Sequence, residues 1–242
     1  MTLAESTVFN AIRHSMMKYC FANIIIAGPI CAGKKNIAQS IAEFSALQDY
    51  VSHVTIIDQD NYYLEYEELE DTPFGVKNID TKGAFNHKKF VNDVRTFYEK
   101  GSVSMAEYNR RKWTKNWWNI TTDDENGKKT SHILETKYER MMNIIVGTHA
   151  IDLLMPLRLD ALEDVNLKEH VVPKAIPKCI CIYLDTDHDV CMSRRAQEGL
   201  MYPDTNDMQL LSRYSNFVKQ QVEKEIATQK KKADIIINCR EV

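Results

Sequence analysis

The residues Gly28-Pro29-Ile30-Cys31-Ala32-Gly33-Lys34-Lys35 satisfy the pattern GxxxxGK. They follow an apolar run, Phe21–Ala27, and precede a stretch with helical spacing of Ile37, Ile41 and Phe44. That order has a physical meaning. Glycines let backbone N–H groups turn inward around phosphate oxygens, and the helix behind them aims its positive end at the same point. Lys34 then reaches the β- and γ-phosphates. One position departs from the pattern: Lys35 stands where a Ser or Thr hydroxyl would ligate Mg²⁺. An ammonium cannot coordinate a cation and repels one nearby. Two readings stand side by side. Either Lys35 points away and another group or water completes the metal shell, or metal binding is weakened or absent.

Such a loop needs a sheet behind it. Phe21–Ala27, His53–Asp58, Asn143–Gly147, Lys178–Leu184 and Ala233–Asn238 are short apolar runs of strand length. Between them lie amphipathic stretches at Lys35–Gln48, Lys88–Lys100, Asp187–Glu198 and Asp207–Lys231. Fully apolar strands alternating with helices predict an α/β fold with a parallel five-stranded sheet and helices on both faces. Residues 101–140 break the rhythm. Alternating segments there flank the polar stretch TTDDENGKK, whose Asn126-Gly127 signals a turn, so a β-hairpin insert on the sheet edge is expected. Residues 1–20 read as an N-terminal extension of the domain at 21–242.

Composition bounds the function classes. The 242 residues are 44% apolar, too many for a disordered chain, and no uninterrupted apolar run reaches membrane-spanning length. A net charge of −3 offers no global attraction to nucleic acid or an anionic membrane, so an anion must be bound locally. Six scattered cysteines, without a CxxC pair, predict a reduced intracellular setting, cytoplasmic with the nucleus as an alternative. The helical Thr7–Tyr19 segment has too little arginine for a mitochondrial presequence.

The second strand ends in Ile57-Asp58-Gln59-Asp60-Asn61-Tyr62-Tyr63. Together with the phosphate loop, this resembles the uridine kinase family of P-loop nucleoside kinases, whose strand ends in a Ser-Gln-Asp-x-Phe-Tyr type sequence. Further matches follow in order: Asn78-Ile79-Asp80 with Ala84-Phe85, Tyr108-Asn109, Asp185-Thr186-Asp187 with Ser193-Arg194-Arg195, Leu211-Ser212-Arg213-Tyr214, and Lys232-Ala233-Asp234-Ile235-Ile236. The pattern is similar to divergent uridine-kinase-like members such as those of fungi. The resemblance implies ATP-dependent phosphorylation of a pyrimidine nucleoside at its 5′-hydroxyl, with Mg²⁺ as cofactor. It implies Asp60 as the base, with Lys34 on the phosphates. Asp80 would bind the ribose, and Tyr63 and Tyr108 would line the nucleoside pocket. Arg194 and Arg195 would serve the phosphoryl group from a lid at 195–207. Homo-oligomers are common in the family.

Several positions depart from the family pattern. Thr148 stands where a carboxylate is expected, Trp113 where a His faces the base, Glu198 where a lid arginine is expected, and Arg213 where a Gln contacts the nucleoside. Lys35 and Thr148 both bear on the metal, and Trp113 and Arg213 on base specificity. Hence two functions are weighed: a nucleoside kinase, or a catalytically weakened relative that binds nucleotide or a partner and regulates. The Trp113–Trp118 cluster, preceded by Arg110-Arg111-Lys112, has the residue types of a single-strand nucleic-acid surface, but a pocket wall or packing role is the simpler reading. Glu65–Asp71 reads as a solvated helix, Lys230–Lys232 as a charged helix end, and His149 as a packing residue.

Overall fold

Isoleucine-rich runs form the centre of the molecule because they can be buried on both faces of a sheet. In the computed structural model they make five parallel strands: β1 (Phe21–Ala27), β2 (His53–Asp58), β7 (Met141–Val146), β8 (Cys179–Thr186) and β9 (Ile235–Cys239), in the order β2-β7-β1-β8-β9. The structure describes residues 3–19, 21–72, 77–79, 81–100, 103–105, 107–109, 114–116, 121–123, 129–131, 140–157, 179–198, 212 and 214–239.

Alternation along each strand divides the core into two layers. Ile25, Ile57 and Ile145 point to one face. There they meet Phe90, Val94 and Phe97 of α3 (His87–Lys100), Ile151 and Leu154 of α4 (Ala150–Leu154), and Val218, Val222 and Ile226 of the terminal helical stretch. Ile24, Ile26, Ile144 and Ile182 point to the other face. They are covered by Val8, Ile12 and Met16 of α1 (Leu3–Tyr19) and by Ala38 and Ile41 of α2 (Lys34–Ala46). The stretch before residue 21 thus supplies one of the helices that close this face. A polar rung crosses the opposite layer: Tyr98 Oη donates to Asn23 Oδ1 at 2.8 Å, and Asn143 Nδ2 donates to the same oxygen at 2.9 Å.

Three local expectations differ from the structure. The insert forms two separate antiparallel pairs, β3 (Glu107–Asn109) with β4 (Thr114–Asn116) and β5 (Thr121–Asp123) with β6 (Lys129–Ser131). Neither extends the main sheet, whose edges are β2 and β9. The Asn126-Gly127 turn signal falls between β5 and β6, so the polar stretch itself supplies the paired strands. Glu65–Asp71 makes only one 3-10 turn, Tyr66–Glu68, whose Glu68 side chain accepts the Glu65 N–H at 2.9 Å. Leu69, buried within that acidic run, anchors it to Tyr63, Ile79 and Phe85 instead of leaving a solvated helix. Finally, Lys230 and Lys232 pair with Asp185 at 2.5 Å and Asp152 at 2.6 Å. They fasten the terminal helical stretch to α4 and β8.

Candidate active site

Parallel strands all point their carboxyl ends the same way, so the loops that leave them converge along one edge. Here that edge encloses a cavity of about 920 Å³, lined by residues 30–37, Asp58, Asp60, Tyr63, Val146, Thr148, Arg194, Gln197, Asn238 and Cys239. The phosphate loop leaves β1, the two aspartates leave β2, Thr148 follows β7, and Arg194 rides on α5 (His188–Glu198) behind β8.

The loop itself has the backbone that its glycines require. Gly28 adopts φ +151°, and a β-carbon there would stand 2.7 Å from the Leu184 carbonyl oxygen. Only glycine fits both the torsion and the space. Cys31, at φ 61°, is a non-glycine residue held in the left-handed region at the tip of the loop. Gly33 caps α2 without a side-chain bond, and the first turn of α2 carries no acidic residue. The helix therefore begins with two lysines at its positive end, an unfavourable placement for its dipole. Both are satisfied by oxygen. Lys34 Nζ donates to the carbonyls of Gly28 (3.1 Å) and Pro29 (2.6 Å), folded over the loop that it would leave for a phosphate. Lys35 Nζ sits 2.7 Å from Asp58 Oδ2 and 3.0 Å from Asp60 Oδ2.

That second contact joins two strands that are not neighbours in the sheet. β7 lies between β1 and β2, and α2, which follows β1, packs over β7 and β2 as well, so Lys35 in its first turn meets the carboxylates at the end of β2. The carboxylates are held ready for it. Asp58 Oδ1 accepts the Asp60 N–H at 2.9 Å and so caps the 3-10 turn Gln59–Tyr62. Asp58, rather than Asp60, is the cap. Burial, and then the neighbouring Asp60 charge, push the Asp58 carboxyl above its ordinary range, while Lys35 and the Asp60 N–H pull it down.

The resemblance implies Mg²⁺, and these residues do not fit it. Lys35 places an ammonium, not a hydroxyl, on both candidate carboxylates. Thr148 is buried at the end of β7, and its carbonyl accepts from Gln229 Nε2 at 2.7 Å. Among the described residues, no group of three His, Cys, Asp or Glu side chains could hold a metal ion.

A second tier braces the aspartates. Gln59 is fully buried, and its Oε1 accepts the His149 N–H at 3.0 Å. Its amide N–H₂ faces His87 Nδ1 at 3.4 Å, while His87 Nε2 donates to the Lys82 carbonyl at 2.7 Å. His149 packs edge-on to the His87 and Phe85 rings, and Phe85 lies against Tyr63. Burial, and then the positive character of His87, Lys82 and Lys34, lower the His149 imidazole to about 3, so it is neutral there.

Of the residues singled out in the sequence, Ile30 to Lys35, Asp60, Tyr63 and Arg194 line this cavity together. Gly28 and Pro29 contribute the carbonyls beneath Lys34. Arg194 Nη1 donates to the Ala32 carbonyl at 3.0 Å, which docks α5 on the loop. Arg195, on the same helix, is 3% exposed and does not line the cavity. It lies near Tyr214, whose hydroxyl donates to the His188 carbonyl at 2.7 Å. Asp80, Trp113 and Arg213 lie outside the described residues, as does the lid beyond residue 198. Tyr108 is placed in β3 by its backbone. Sequence reasoning overlooked Asp58 as the partner of Lys35 and Gln59 as the brace. The Asp-Gln-Asp spacing held the signal for both.

Comparison with known proteins agrees with this architecture. The chain is 23% identical over 214 residues to a uridine kinase of Psychromonas ingrahamii, covering 88% of this chain and 85% of that one. No family model matches the chain. Among solved structures, a Silicibacter sp. TM1040 protein assigned as a fructose transport system kinase superposes with a TM-score of 0.57 at 15% identity, covering 92% of this chain and 93% of the other. The YGR205w protein gives 0.56 at 12% identity, covering 99% and 95%. No helix among the described residues is long and apolar enough to cross a membrane. The chain thus has the fold of P-loop kinases and is similar in sequence, along most of its length, to a uridine kinase.

Proposed function

We propose that the chain is a nucleoside kinase that moves the terminal phosphoryl group of ATP to the 5′-hydroxyl of a pyrimidine nucleoside such as uridine or cytidine. One observation carries this reading: the phosphate loop, the Asp60 carboxylate and Tyr63 open into a single cavity of about 920 Å³. A donor's phosphates and an acceptor hydroxyl can meet there. In the reaction the acceptor oxygen forms a bond to the γ-phosphorus, the bond from that phosphorus to the β,γ-bridging oxygen breaks, and Asp60 takes the hydroxyl proton. Lys34 and Arg194 supply positive charge to the phosphoryl oxygens. The similarity to a uridine kinase supports the substrate class.

Purified protein with ATP and a panel of nucleosides tests the reading. Turnover of uridine or cytidine, lost by about 10²-fold or more in Asp60→Ala and Lys34→Ala, is expected. A second reading is a weakened relative that binds nucleotide and regulates. The ion pairs of Lys35 with Asp58 and Asp60 favour it, because they occupy the carboxylate that would serve as base. Retained ATP binding with no turnover of any nucleoside in the panel selects it.

A further inference from the structure

We propose that Lys35 is a tethered cation that stands in for a divalent metal at the phosphate site, so that this chain binds nucleoside triphosphate without Mg²⁺. The inference rests on the phosphate-site reading above and names how that site handles charge.

Four observations converge on it. The ammonium lies within ion-pair distance of both carboxylates, 2.7 and 3.0 Å, which makes it the bridging cation between them. It arrives from the residue directly after the phosphate-loop lysine, so its position relative to a bound phosphate is fixed by the same helix turn. Thr148 at the end of β7 adds no carboxylate, and its carbonyl is already engaged by Gln229. Lastly, two lysines open α2 against its dipole with no acidic residue in the first turn. Asp58 and Asp60, at the end of β2, offset that placement for Lys35.

The charges are also consistent. Two carboxylates and one ammonium leave one negative charge, compared with two for the carboxylates alone. A divalent ion entering beside Lys35 would find half of the attraction already used and a like charge within a few ångströms. Mg²⁺ further demands near-ideal octahedral oxygen coordination at about 2.0–2.1 Å and parts with its waters reluctantly. Lysine asks for neither. Its side chain is 56% exposed and lines the cavity where phosphate oxygens would lie.

Equilibrium binding of ATP by titration calorimetry, in excess Mg²⁺ and in EDTA, tests the proposal. The wild-type affinity is expected to differ by less than about threefold between the two buffers. Lys35→Ser and Lys35→Met are each expected to weaken ATP binding in EDTA by about tenfold or more. Titration of Mn²⁺ alone, followed by its electron paramagnetic resonance signal, provides a readout that needs neither nucleotide nor turnover. Lys35→Ser should take up one Mn²⁺ that the wild type does not. A wild-type affinity that falls by about tenfold or more in EDTA overturns the proposal, as does Mn²⁺ uptake by the wild type equal to that of Lys35→Ser. Absence of ATP binding in both buffers overturns the phosphate-site reading itself, and the tethered cation with it.

Discussion

A β-carbon on Gly147 would stand 2.2 Å from the Gln59 side-chain oxygen. The two residues lock the end of β7 to the turn that carries Asp58 and Asp60. Gln59 is fully buried and bonded to the His149 N–H, so it cannot swing clear.

Gly147→Ala should therefore destabilise the protein by about 1–3 kcal/mol, the usual cost of overpacking a filled core. Urea denaturation measures it. Gln59→Ala alone should also cost stability by stranding the buried His149 N–H. The double variant should be more stable than the sum of the two single losses, because the smaller side chain admits the new methyl group. Strict additivity would show that the contact carries no strain.

Ile12 is 1% exposed in the layer beneath α1, beside Ile24 and Ile26. Ile12→Ala should cost about 2–5 kcal/mol and lower the thermal midpoint by roughly 4–20 °C. Met17→Ala, on the open side of the same helix, should change stability by no more than about 0.5 kcal/mol. Equal effects at both positions would mean that α1 is not seated on the sheet.

Lys34 donates to the carbonyls of the buried Gly28 and Pro29, and the Pro29 oxygen also accepts the Ala32 N–H at 3.2 Å, so it keeps a partner without the lysine. Lys34→Met should weaken ATP binding at least about tenfold, or about 1.4 kcal/mol. Its thermal midpoint should stay within about 2 °C of the wild type, since the helix also loses a poorly placed charge. A large fall in midpoint would identify Lys34 as a structural strut instead.

His149 is held neutral, with its folded-state value lowered to about 3 from an ordinary 6.5. The unfolded chain binds the proton more readily, so the stabilising contribution is complete above about pH 6.5 and fades as pH falls toward 3. Between pH 7 and pH 5 the wild type should lose on the order of 2 kcal/mol from this site. Urea titrations at the two pH values check this, with His149→Phe expected to flatten the slope. His87, lowered mainly by burial, adds a slope of the same sign that the variant retains.

Much of the fold is legible in local sequence because its signals are local. Phe21–Ala27 and His53–Asp58 are strands at the expected bounds, and α2, α3 and α5 begin within one residue of theirs. Apolar runs of that length can be buried only on both sides, which commits them to a covered parallel sheet. The phosphate loop is equally local: its residues are consecutive, and Gly28 is required by the torsion and space of one turn. The insert was less legible, since short polar strands such as Thr121–Asp123 and Lys129–Ser131 show no alternation of apolar and polar residues in the sequence.

The chain written out shows that Lys35 replaces a hydroxyl and that Asp58 and Asp60 end another strand. It does not show that they meet. Strand order and helix packing decide that, and both are long-range properties: α2, which follows β1, packs over β7 and β2, and so sets Lys35 beside the carboxylates at the end of β2. Arg194 and Arg195 make the same point. They are adjacent in sequence, but successive residues on a helix point about 100° apart. The packing of α5 on β8 therefore sends one to the phosphate loop and buries the other near Tyr214.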